Sequence, residues 1–426
     1  MAESENGSVK WRAVQGSDNW EGLLEPLDND LREAILLYGD LTQATYDAFN
    51  SDPHSKFCGS SRYGKKDFFQ KVSLATGDDE WNYEVTRFLY ATSRLELPQA
   101  FMLKSLSREA WSRESNWIGY VAVATDRGKQ RLGRREIVVA WRGTIRDLEW
   151  SDVFNPIPVS IAPILSQEQR HDHDHDHHWY DRVLHLVDEE EPKVMNGWFV
   201  IYTSTDPKSP FTKSSAREQF LAEIKRLVEL YKDEELSITL VGHSLGAALA
   251  ILSGFDIVQS GLTSVPGKPN IPVTAFVVGC PGVGNAAFKK RFEALPGLRV
   301  LRIVNLPDLI PHYPGKLLMS EHVGSHLEID TRKSPFLKDS KNPSDWHNLQ
   351  AQLHIVAGWQ GPKNPLKFEG NRSVALVNKS CDFLKEECLI PASWWVEKNK
   401  GMIQDLKGMW ALADPPEDDL PKPEED

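Results

Sequence analysis

Apolar and polar residues recur along this chain in two registers, one helical and one extended. Leu31, Ala34, Ile35 and Leu36, followed by Leu41, Ala44, Tyr46, Ala48 and Phe49, keep helical spacing and predict an N-terminal helical segment within residues 20–50. Apolar runs at 117–124 and 137–141 predict two strands joined by a basic turn that carries Gly128 and Gly133, a hairpin pattern. Further on, Phe220, Leu221, Ile224, Leu227, Val228 and Tyr231 line one face of a helix over 215–231, with Ser215 and Glu218 as its capping box. Near-continuous apolar runs at 236–241, 273–278 and 300–304 predict buried strands, and 321–330 alternates like another. Strands of this kind interleaved with helices predict an α/β fold whose mostly parallel sheet is covered on both faces.

The uncharged run 236–255 is also long enough to cross a bilayer. Ser237, Thr239, His243 and the turn glycines interrupt it, so it reads as a strand, a turn and a helix instead. Length alone suggests two or three domains, yet an α/β hydrolase with insertions fills such a length as one. The expected organisation is a flexible N-terminus over 1–19, one domain over 20–412 with an irregular insertion at 156–192, and a disordered acidic tail over 413–426.

Composition narrows the function. The chain of 426 residues carries a formal net charge of -12 without a basic stripe, which argues against a nucleic-acid partner. Its four cysteines, Cys58, Cys280, Cys381 and Cys388, are too few for a disulfide framework. The first residues are acidic with no apolar stretch after them, so neither a secretory nor an organellar leader fits and a cytoplasmic location is expected. The sequons at Asn6, Asn371 and Asn378 are then expected to stay unused.

The chemistry centres on Gly242-His243-Ser244-Leu245-Gly246, which lies between the strand at 236–241 and a helix of small and apolar residues. Strand, sharp turn and helix are the context that a G-x-S-x-G nucleophile elbow requires. Ser244 is therefore the expected nucleophile, and a serine hydroxyl needs a base to take its proton. In hydrolases of this sheet type the acid and then the histidine follow the serine along the chain. Asp308, just beyond the strand at 300–304, stands where the acid is expected. Five histidines follow it: His312, His322, His326, His347 and His354. Periodicity does not separate His347 from His354, which share a helix face seven residues apart, but a helix start suits a catalytic imidazole better and favours His347. For the oxyanion, Leu245 N–H is one donor, and Thr144 after the strand at 137–141 is the expected second. Arg142 beside it reads as a structural ion-pair residue.

With these residues in view, the chain resembles the plant class III lipases of the phospholipase A1 type, in their cytosolic subgroup, from about residue 20 to 410. The resemblance rests on Gln43-Ala44-Thr45-Tyr46-Asp47-Ala48-Phe49, Ala140-Trp141-Arg142-Gly143-Thr144, the elbow, Val304-Asn305-Leu306-Pro307-Asp308, His347-Asn348-Leu349-Gln350 and Ala375-Leu376-Val377-Asn378-Lys379-Ser380-Cys381-Asp382. It implies an α/β-hydrolase sheet, a Ser244, Asp308, His347 triad, and hydrolysis of the sn-1 acyl ester of glycerophospholipids at a lipid surface, with no metal or other cofactor. Mono- or diacylglycerol and galactolipid hydrolysis are the alternatives, and a catalytically inactive lipase-like module is a further one. The resemblance also implies a lid at 156–192, with Ile157, Val159, Ile161, Ile164 and Leu165 as its apolar underside; an ordinary long loop is the alternative reading of this segment. One departure is Gly282, where an arginine is usual. The alternating His/Asp tract at 171–178 invites a metal-site reading, but it has no rigid scaffold to fix ligands and reads as a solvated loop.

Overall fold

The computed structural model describes residues 10–75, 81–92, 106, 115–144, 157–165, 190–315, 320–368, 370, 372–395, 402–404, 406–412 and 416–424. Helix α1 (Asn29–Asp47) starts where the Asp28 carboxylate accepts from the N–H groups of Asp30 and Leu31, and its buried face carries Leu31, Ile35, Tyr38 and Leu41. The flexible N-terminus expected over 1–19 is corrected from residue 10 onward. Residues 10–14 are helical and Trp11 and Gln15 are buried. The reason is polar: Gln15 Nε2 donates to Tyr38 Oη at 2.6 Å and to Glu136 Oε1 at 3.2 Å, which ties this segment to the sheet.

Strand β1 (Tyr83–Thr92) was not legible from periodicity, because Glu84 and Arg87 interrupt its apolar pattern. It pairs antiparallel with β2 (Ser115–Ala124). The expected basic turn after β2 is instead helix α2 (Asp126–Leu132), opened by Thr125, whose hydroxyl accepts from Gly128 N–H, and closed by Gly133 at φ 72°. Strand β3 (Arg135–Trp141) follows, then β4 (Pro158–Ser160) paired antiparallel with β5 (Lys193–Met195). Helix α3 (Ala216–Leu230) carries the expected capping box of Ser215 and Glu218. Next come β6 (Leu236–His243), α4 (Leu245–Gln259), β7 (Val273–Val278), β8 (Leu298–Asn305), β9 (Ser325–Ile329) and α5 (Leu349–Gly358).

Seven of these strands form one sheet in the order β1-β2-β3-β6-β7-β8-β9. The first three are antiparallel, and from β3 onward every pairing is parallel. This is an α/β-hydrolase sheet. Register brings its carboxyl ends level: Trp141 pairs with Gly242, Gly242 with Val277, His243 with Val278, and Val278 with Ile303. Alternate residues of each strand serve opposite faces. On one face Ile137, Val139, Ile238 and Leu240 join Leu249, Leu252 and Phe255 of α4. On the other, Val138, Ala140, Val241 and Phe276 join Tyr38 and Leu41 of α1 and Leu353 of α5. The sheet is thus sandwiched between helices on both sides.

The run 236–255 divides into β6 and α4, and among the described residues no helix is long and apolar enough to cross a membrane. Within the insertion, Ile161 and Ile164 are core residues while Ile157 is 53% exposed. The rest of it, 166–189 with the His/Asp tract, lies outside the described residues. The expected disordered tail is corrected over 416–424. Asp419 accepts from Gly64 N–H and pairs with Lys71, while Glu424 takes Lys65 Nζ at 2.7 Å and the edge-strand Phe88 N–H at 3.3 Å. Two of its acids, Asp419 and Glu424, find cations on the body of the protein.

Candidate active site

Why the elbow is a Gly-x-Ser-x-Gly can be read in ångströms. A Cβ on Gly242 would lie 2.2 Å from Gly246 O, and one on Gly246 would lie 2.2 Å from Trp141 O. Strand, turn and helix meet backbone to backbone there, and only glycine fits. Between them Ser244 is held at φ 59° and ψ -126°, a conformation that costs of order 1–3 kcal/mol for a residue with a side chain and persists only where its surroundings impose it. Its N–H donates to Val278 O at 3.1 Å, which pins the tip against the end of β7. Ser244 Oγ is buried and makes no hydrogen bond. Leu245 begins α4, so its N–H is among the first four of the helix, which have no intrahelical partner.

Asp308 is fully buried in the loop that leaves β8, and His347 is 5% exposed between the short helix Pro343–Trp346 and α5. Their side chains meet: His347 Nδ1 and Asp308 Oδ2 are 2.7 Å apart. Nδ1 facing a carboxylate carries the proton, which leaves Nε2 as the basic nitrogen. Asp308 Oδ1 accepts from Ile310 N–H at 3.0 Å, so both carboxylate oxygens are engaged. Two markers place this pair beside Ser244. The ring of His243, the residue before the serine, lies 4.4 Å from the ring of His347. A Cβ on Gly279, the residue after Val278, would lie 2.7 Å from His347 Cε1. Hydroxyl, imidazole and carboxylate thus share the carboxyl ends of β6, β7 and β8, where open α/β sheets hold their ligands.

The other histidines lead elsewhere. His354, which periodicity left beside His347, bonds Ser334 Oγ at 2.9 Å and stacks on Phe368 at 4.6 Å. Burial pushes its pKa down to about 4. His322 Nε2 donates to Pro311 O at 2.7 Å, and His312 and His326 are exposed.

Thr144 is half-buried three residues after the end of β3, and its neighbour Gly143 lies against the elbow, where a Cβ would be 2.5 Å from His243 O. The expected ion pair of Arg142 is corrected. This side chain is fully buried, donates to the carbonyls of Trp117 and Gly143 at 3.0 Å each, and lies over the Phe49 ring at 4.0 Å. Among the described residues no carboxylate pairs with it, and burial pushes its pKa down to about 10. It braces the loop from β3 by packing and carbonyl contacts. The space left at Gly282 is taken by Ser320, whose Oγ would lie 1.8 Å from a Cβ there.

A further polar residue, not evident from the sequence motifs, serves Asp308. Gln352, fully buried on α5, donates from Nε2 to Asp308 Oδ2 at 3.2 Å and to Trp346 O at 3.1 Å. Asn305 Nδ2 donates to the same Trp346 carbonyl at 2.7 Å. The signal was there in principle, since Gln352 is a glutamine at a buried position of a largely apolar helix.

Comparisons with known proteins identify the family. The family described as Lipase (class 3) matches residues 138–318. Phospholipase A1-IIdelta of Arabidopsis thaliana is 50% identical over 415 residues, covering 97% of this chain and 99% of its own. Phospholipase A1-II 5 of Oryza sativa subsp. indica is 49% identical over 417 residues, 98% of this chain and 85% of its own. Phospholipase A1-IIgamma of Arabidopsis thaliana is 46% identical over 414 residues, 96% of this chain and 94% of its own.

Proposed function

The chain belongs to the plant phospholipase A1-II group of class 3 lipases and is a lipid acyl hydrolase; from that premise we propose that it cleaves the sn-1 acyl ester of glycerophospholipids through Ser244, His347 and Asp308. The observation that carries the reading is the buried His347–Asp308 contact at 2.7 Å, next to a serine held at φ 59° on the elbow.

In this mechanism His347 Nε2 takes the proton of Ser244 Oγ as the oxygen attacks the ester carbonyl carbon. The negative charge moves to the carbonyl oxygen, which the N–H groups of Leu245 and Thr144 hold. Asp308 keeps His347 in the right tautomer and stabilises the imidazolium. Collapse of the tetrahedral intermediate breaks the ester C–O bond, and the imidazolium protonates the departing lysophospholipid alkoxide. Water, deprotonated by the same imidazole, then releases the fatty acid and restores Ser244. No cofactor enters this sequence.

A cytoplasmic place of action is part of the proposal. Cys280, Cys381 and Cys388 carry free thiols, which suits a reducing compartment, and fractionation of a tagged chain tests it.

The main test is product analysis on phosphatidylcholine bearing different acyl chains at sn-1 and sn-2, with galactolipid and diacylglycerol in parallel. Release of the sn-1 chain from the phospholipid is expected. Release from sn-2, or turnover of galactolipid or diacylglycerol alone, overturns the specificity. A folded protein that a fluorophosphonate does not label at Ser244 overturns the nucleophile.

A further inference from the structure

His243 lies within the elbow motif, yet the motif's chemistry gives it no task. Its side chain is buried and both ring nitrogens are engaged. Nε2 is 2.8 Å from the backbone oxygen of His347, and Nδ1 is 2.8 Å from Tyr46 Oη. A carbonyl only accepts, so Nε2 carries the proton and Nδ1 must accept from the Tyr46 hydroxyl. Tyr46 Oη in turn packs against the backbone of Gly143, next to Thr144. A Cβ on Gly143 would lie 2.1 Å from Tyr46 Oη and 2.5 Å from His243 O, so these three groups are packed against one another. Tyr46, packed on Gly143, is therefore linked by two hydrogen bonds through His243 to the carbonyl of His347.

We infer that His243 and Tyr46 are positioning residues that hold the loop bearing the catalytic base in register with the loop bearing the oxyanion donor. The inference rests on the triad reading above and extends it. Acylation needs the base and the oxyanion donors at fixed distances from one carbonyl group, and a shift of about 1 Å can cost 10²-fold in rate. The two loops come from opposite sides of the elbow: Gly143 leaves β3, and His347 lies 204 residues further along the chain. Within the clamp, donors meet the histidine loop at two successive carbonyls. Trp346 O takes Asn305 and Gln352, and His347 O takes His243. His243 also has to stay uncharged. Its ring lies 4.4 Å from that of His347, which becomes a cation during the reaction. Burial, with His347 nearby, lowers the pKa of His243 well below the ordinary value and keeps it neutral.

The test uses the full-length chain and a soluble p-nitrophenyl ester, with Tyr46→Phe, His243→Phe and His243→Gln compared with wild type. Tyr46→Phe removes only the hydroxyl, so His243 Nδ1 loses its donor and the ring its link to the Gly143 loop. His243→Phe keeps a ring but loses the donor. His243→Gln retains an amide that can donate towards His347 O. Expected is a fall in kcat and in the fluorophosphonate labelling rate of roughly 10- to 100-fold for Tyr46→Phe and His243→Phe. KM should stay unchanged, Ser244 should still label to completion, and His243→Gln should recover most of the loss. Full wild-type kcat in a folded Tyr46→Phe protein overturns the inference, and so does a fall that appears only in KM. If wild type itself does not label at Ser244, the triad reading has failed and not the clamp. Should His243→Phe not fold, Tyr46→Phe and His243→Gln still decide the matter.

Discussion

His347 Nδ1 lies 2.7 Å from Asp308 Oδ2, a contact that joins two loops 39 residues apart. Asp308 stands one loop beyond β8, whereas His347 hangs from the start of α5, so only the packing of that helix on the sheet brings them together. Replacing Asp308 with Asn should leave the fold intact and lower kcat by roughly three to four orders of magnitude, because the histidine then loses its tautomer. Ser244→Ala should abolish ester hydrolysis. The alanine protein should be at least as stable as wild type in urea, since it removes a buried hydroxyl with no partner. Retained hydrolysis in the alanine variant would remove Ser244 from the mechanism.

Gln352 extends the same contact. Gln352→Leu takes one donor from Asp308 and one of two donors from Trp346 O, while Ile310 N–H and Asn305 remain in place. A decrease of about tenfold in kcat with little change in KM is expected, in line with a displaced rather than a missing acid. Steady-state kinetics on a soluble ester, with circular dichroism as the check on folding, reads it.

At the elbow, Gly246→Ala puts a methyl 2.2 Å from the Trp141 carbonyl oxygen, and backbone on both sides leaves nothing flexible to move. The cost in unfolding free energy should be about 1–3 kcal/mol or more. Gly370 has open space around it, so Gly370→Ala is the matched control and should stay near wild type. Equal urea midpoints for the two variants would contradict the close approach.

The pH dependence of stability should carry a signature from His354. Burial lowers its folded pKa to about 4, against an ordinary value of 6.5. Between those values the unfolded chain binds a proton that the folded chain refuses. Stability is therefore present in full above pH 6.5 and is lost as pH falls towards 4, by up to about 3 kcal/mol. His354→Gln should flatten this part of the profile in urea melts at pH 7.5, 6 and 5. An unchanged slope would show that other groups set it.

Asp419 anchors the C-terminal segment through Gly64 N–H and Lys71. Asp419→Ala should destabilise the protein by about 1–3 kcal/mol, since it leaves a backbone donor without its charged acceptor. Cutting the chain after residue 415 should also uncover the Phe88 N–H on edge strand β1, which Glu424 now covers, and raise self-association in light scattering. A truncated protein that stays monomeric with an unchanged melting temperature would show the contact to be idle.

The sequence by itself determined the elements whose residues repeat locally. Helical spacing found α1 and α3 with its capping box, and continuous apolar runs found β3, β6, β7 and β8, because each records which face turns inward. The elbow was legible for the same reason: its glycines and serine are neighbours, and the close approach they permit is a local fact. The ordered motif also singled out Asp308, as the residue just past a strand. Only the tertiary structure decided what depends on partners distant along the chain. His347 and His354 have the same spacing and polarity, and the packing of α5 sends one to Asp308 and the other to Ser334. Arg142 turned out to have carbonyl and ring partners, while Gln15 and Asp419 fastened segments that composition marked as loose. A periodic pattern reports burial, which is a property of one residue and its neighbours in sequence. A hydrogen bond between loops depends on where two separate elements end in space, and the sheet register and the packing of helices on the sheet fix that together.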